Sequence, residues 1–144
     1  MLTQLLVGGL MIVLTTAIHA GFMALGIGML LRWHPVHPDS SMMKATTAVA
    51  AFVVVMFVAA IIEIWCWSAL FLYVGAFDDM EPAVYFTTVS YTTLGYGDVT
   101  LGPEHRQLSA ICAANGIIMF GWTTALVFAV VQRVYTPIFA RQSS

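Results

Sequence analysis

Charge is what this chain has least of. Only 8% of its 144 residues are Asp, Glu, Lys or Arg, against 60% hydrophobic ones, and the mean hydropathy is +0.91. A water-soluble domain of this length needs a far more charged surface, so composition argues against a soluble enzyme or binding module. The net charge of −2 offers no basic face, and nucleic acid is not an expected partner. Cysteine is nearly absent. Cys66 and Cys112 lie in separate apolar runs, form no CxxC and no zinc spacing, and read as small buried hydrophobes. No segment carries arginine at every third position, which excludes a voltage-sensing helix of the usual kind. No nucleophile stands in a motif with a base, so the chain is not read as an enzyme. A membrane electron carrier would need facing histidine pairs for haem, and His19 is the only histidine inside an apolar run. A secretory signal is also a poor fit, because no Lys or Arg precedes the first run and the run is too long.

What the chain does have is three such runs. A helix rises about 1.5 Å per residue, so a bilayer core of about 30 Å takes roughly 20 residues. Residues 1–31 exceed that, with only Thr3, Gln4, Thr15, Thr16 and His19 as polar interruptions, and form a first membrane helix. Gly8, Gly9, Gly21, Gly26 and Gly28 either allow close helix contact or reflect the ordinary frequency of glycine in membranes. His19 is expected to bond to a neighbouring helix or to reach the interface. Residues 32–44 break the pattern. Pro35 and Pro38 forbid a continuing helix, Trp33 suits an interface, and His34, His37 and Asp39 are too thin a set to hold a metal. Residues 45–77 form a second crossing. It holds Glu63, a carboxylate at hydrocarbon depth that must be protonated or partnered.

Asp78, Asp79, Glu81 and Pro82 then mark the start of a short helix, since acid and proline both suit a first turn. At residues 82–92 it is too short to cross. It has to dip in and return, with its partly negative C-terminal end aimed inward. Residues 107–135 are the last crossing, and 136–144 a short tail. The fold class is therefore an all-α membrane protein, with three transmembrane helices plus a re-entrant helix and loop between the second and third.

That loop is Thr93-Leu94-Gly95-Tyr96-Gly97-Asp98. Gly95 and Gly97 lack a Cβ and take left-handed backbone at little steric cost. Alternating them with larger residues lets a short backbone turn its carbonyls one way, as a cation needs when oxygens replace its water shell; the Thr93 hydroxyl adds an oxygen at the inner end. The run resembles the selectivity filter of potassium channels, Thr-X-Gly-Tyr-Gly and often Asp. Thr93, Gly95, Tyr96, Gly97 and Asp98 match; Leu94 stands where most members carry Val or Ile.

The resemblance covers roughly half of the chain, and the first helix lies outside it. It implies a homotetrameric potassium-selective pore in the cell membrane, with potassium ions at the carbonyls of Thr93 to Gly97 and no other cofactor. It makes residues 45–135 a pore domain, in which 45–77 is the outer helix, 82–92 the pore helix, 93–98 the filter and 107–135 the inner helix. Tyr85 and Phe86 take the place of two tryptophans that brace the filter in many relatives, and Val89 that of a glutamate found in some. Asp98, Tyr85, Phe86 and Glu63 are the expected filter supports. Gly116 is where inner helices often have a hinge glycine, and Ile117, Phe120 and Thr124 share the face expected to line a water cavity. A less selective cation channel, or an accessory channel subunit, is the alternative.

Arg32, Lys44, Arg133 and Arg141 fall on one side and Arg106 on the other. The positive-inside rule places the C-terminus and residues 32–44 in the cytoplasm, and the N-terminus outside with the filter loop. The outer loop carries five carboxylates (Asp78, Asp79, Glu81, Asp98, Glu104) and one guanidinium, a formal −4 per chain that concentrates cations at the mouth.

Overall fold

A computed structural model describes residues 2–33 and 42–142. Among them there are four helices and no strand: α1 (Leu2–Trp33), α2 (Met42–Tyr73), α3 (Met80–Tyr91) and α4 (Arg106–Gln142). Three are long and apolar enough to cross a membrane. The 12-residue α3 spans only about 18 Å. His34, His37 and Asp39 lie outside the described residues.

α1 runs parallel to α4 and antiparallel to α2. Three contacts in step fix this arrangement: the Gln4 amide donates to the Glu104 carbonyl, Asn115 Nδ2 donates to Thr15 Oγ1 at 2.8 Å, and His19 meets Thr123 at 3.1 Å. The start of α1 thus lies at the same end as the 93–98 loop. Of the five α1 glycines, two sit where a side chain would collide. A Cβ on Gly8 would stand 2.8 Å from Ile111, and one on Gly26 2.8 Å from Phe52. Gly9, Gly21 and Gly28 face open space within the chain.

Helix boundaries differ from the sequence expectation at both ends of the loop region. α2 stops at Tyr73 rather than 77, because Gly75 (φ 74°) closes it. Gly75 N–H donates to Leu72 O at 3.0 Å and Ala76 N–H to Phe71 O at 2.9 Å, the paired bonds of a Schellman cap. α3 starts at Met80, with Asp79 in extended backbone before it. Pro82 falls in the first turn, where its missing N–H leaves no helical carbonyl unpaired. α4 continues beyond 135, through Pro137 to Gln142.

Two apolar clusters hold the bundle. At the loop end, Phe86 of α3 packs edge-on against Phe71 of α2 at 5.4 Å and lies 5.3 Å from Phe77, with Trp67, Tyr91, Leu108 and Cys112 around them. At the other end Phe52 and Met56 of α2 meet Val130, Val134 and Ile138 of α4.

Candidate functional site

The segment leaving α3 is held by backbone bonds. Thr93 N–H donates to Ser90 O at 3.0 Å and Gly95 N–H to Val89 O at 3.2 Å. Three residues have positive φ: Thr93 at 59°, Gly95 at 60° and Gly97 at 77°. Leu94 and Tyr96 between them do not, so handedness alternates along the run. The run is therefore neither regular strand nor helix, whose residues share one handedness. For the glycines this costs little. For Thr93 it is an outlier, since a β-branched residue in the left-handed region is strained by about 1–3 kcal/mol and persists only when its surroundings enforce it.

In the single chain the loop is bare. Every residue of 92–98 is exposed, including Leu94 (55%) and Tyr96 (66%). Behind it lies a recess of about 250 Å³ lined by Phe86, Val89, Ser90, Gly95, Gly97 and Arg106, among others.

Asp98 is fixed at the end of the loop away from α3. Tyr85 donates its hydroxyl to Asp98 Oδ2 at 2.6 Å, and Val99 N–H donates to Oδ1 at 3.0 Å. The phenol bond holds the Asp98 carboxyl below its ordinary pKa, and the same bond pushes the Tyr85 hydroxyl up. Val89 is buried, and Phe86 belongs to the aromatic cluster that seats α3 on α2.

Glu63 is fully buried and partnered on both oxygens. Tyr91, the last residue of α3, donates its hydroxyl to Oε2 at 2.6 Å. His19 Nδ1 lies 2.9 Å from Oε1. Sequence reasoning had no role for Tyr91, and it gave His19 a neighbour without naming one. The one signal available was that an intramembrane carboxylate and an intramembrane imidazole each need a partner. On α4, Gly116 is buried against the backbone of Tyr91, where a Cβ would come within 2.7 Å of the Tyr91 carbonyl carbon. Ile117, Phe120 and Thr124 are exposed on one side of α4, although the Phe120 ring also meets that of Tyr91 edge-on at 6.0 Å.

Two membrane-length helices, α2 and α4, hold the short α3 and its bent loop between them, with the third, α1, packed on both. A family model described as ion channel matches residues 57–133. That is just over half of the 144 residues, and the chain belongs to this ion channel family. The match takes in part of α2, all of α3 and most of α4, and leaves α1 out. No curated protein matches the chain, and no solved structure does. The membership and the three apolar helices make it a membrane protein whose partners are ions and lipid.

Proposed function

We infer that the chain is one subunit of a homotetrameric potassium-selective channel, with the 93–97 carbonyls as its ion sites. The observation that carries this reading is the alternating handedness of Thr93 to Gly97, strained at Thr93. Alternating handedness lets a short backbone present successive carbonyls to one side, as rings of oxygens that replace a cation's water shell need. One strip cannot surround an ion, so copies are needed. Tyr96, exposed in one chain, and the recess beside Phe86 and Ser90 are the two halves of a contact that a repeated neighbour would close. Head-to-tail contacts of this kind generate rings. In this reading α3 re-enters from the outer side, its C-terminal carbonyls face the cavity lined by Ile117, Phe120 and Thr124, and the N-terminus lies outside.

The test is reversal potential in planar bilayers with potassium on one side and sodium on the other. A value near the potassium equilibrium potential, lost in Gly95→Ala and Tyr96→Ala, is expected. Current reversing near zero in the wild type would refute potassium selectivity.

A further inference from the structure

A cluster of enclosed polar groups lies away from the loop, yet is tied to it. His19 is 1% exposed. Its Nδ1 faces Glu63 of α2, its Nε2 lies 3.1 Å from Thr123 of α4, and its ring is 5.0 Å from that of Trp122. With Tyr91 on the other oxygen, Glu63 of α2 is met by α1 and α3, and α4 joins the cluster through the Thr123 contact to His19. Such a cluster is a poor device for stability alone, since apolar side chains of similar volume usually pack as well or better. What directional bonds supply is position. The residue they position is the last one of α3, two residues before the strained Thr93, and its backbone is pinned from the far side by Gly116. Tyr91 is thus held at its hydroxyl by α2 and at its carbonyl by α4, while α1 holds the holder.

We propose that His19 and Tyr91 are positioning residues for the ion pathway, with Glu63 as the joint between them, so that α1 sets the geometry of the 93–97 loop. The helix that the family match leaves out is then a working part of each pore subunit. This rests on the reading of that loop as the ion pathway.

The experiment compares Tyr91→Phe, His19→Leu, the double variant and His19→Asn in the full-length protein. Tyr91→Phe removes one hydroxyl and keeps the buried ring. His19→Asn places an amide nitrogen where Nδ1 stands. The readout is hydrogen exchange at the amides of Thr93 and Gly95, with open-channel lifetime in bilayers beside it. Losing a buried hydrogen bond and leaving its partner oxygen unpaired should speed exchange at both amides by about 10-fold. The double variant should be no worse than either single one, because both act through Glu63. His19→Asn should restore most of the wild-type rate, and lifetimes should follow the same order. Unchanged exchange in Tyr91→Phe overturns the proposal, and so do effects that add in the double variant or a His19→Asn as impaired as His19→Leu. Should His19→Leu fail to fold, Tyr91→Phe and His19→Asn decide alone. Exchange does not depend on which ion passes, so a wild type that fails to select potassium sinks the preceding section and leaves this comparison standing.

Discussion

Gly116 carries a prediction that separates two roles for one residue. A Cβ there would lie 2.7 Å from the Tyr91 carbonyl carbon, 2.9 Å from Tyr91 Cγ, and nearer still to the carbonyl oxygen. The obstacle is backbone and cannot swing aside as a side-chain end would. The carbonyl oxygen is the nearest obstacle, so reaching ordinary contact at about 3.5–4 Å means parting α3 from α4 by about 1.5–2 Å, and overpacking of that kind costs about 1–3 kcal/mol or more. For a chain of this size that is a fall in melting temperature of several degrees, on the order of 3–15 °C. The displaced element leads directly into Thr93, so permeation should suffer along with stability. Gly21→Ala is the control, since its Cβ meets nothing within 4 Å. Purified Gly116→Ala should melt lower and show reduced conductance, with Gly21→Ala matching the wild type or slightly exceeding it. A glycine that serves only as a hinge predicts normal melting and altered opening kinetics. Wild-type melting and wild-type conductance in Gly116→Ala would refute the contact argument.

Three further outcomes are expected. Gly75→Ala meets no atom within 4 Å but keeps a positive φ, so it should lose about 1–2 kcal/mol of stability from backbone strain alone, read as a lower melting temperature with unchanged selectivity. Tyr85→Phe should free Asp98 and hasten the loss of current when external potassium is withdrawn; equal decay rates would count against Tyr85 as a support. The same pair sets a pH window. Asp98 is held below its ordinary value, so its contribution is present above about pH 3.9 and lost as pH falls through the lower folded value, while Tyr85, raised, stays a donor to beyond about pH 10; decay rates should therefore be flat between about pH 5 and 9 as far as this pair is concerned, and a Tyr85-dependent change inside that range would contradict it. Phe86→Ala should remove the edge-on contacts that seat α3 on α2, at about 3–5 kcal/mol, with Phe86→Leu milder by thermal melting.

The three apolar runs were legible because nothing but a bilayer explains them, and the loop was legible because Thr93 to Asp98 is a local pattern. Helix ends were read less well. The Gly75 stop was present in the sequence as a glycine after an apolar run, but the apolar Val74, Ala76 and Phe77 around it extended the expectation to 77. The last helix was expected to end at 135, yet α4 runs on through Pro137, as membrane helices do when the freed carbonyl finds another partner. The Glu63 partners were beyond reach. Tyr91 lies 28 positions away and His19 44, and only the packing of α1, α2 and α3 brings them together. The left-handed Thr93 was likewise invisible, since local preference opposes it and the surrounding fold overrides that preference.

The His19–Glu63 contact has a consequence for how the protein enters its membrane. A strongly polar or ionisable residue at mid-helix disfavours partitioning of a lone segment into lipid. α1 carries an imidazole and α2 a carboxyl group, and the two meet at 2.9 Å. The two segments are therefore best released as a pair, and the insertion machinery has reason to retain α1 until α2 has been made. Replacing Glu63 with leucine should let α2 partition alone, and α1 should then linger at the translocation site, a delay that crosslinking of nascent chains during synthesis would register.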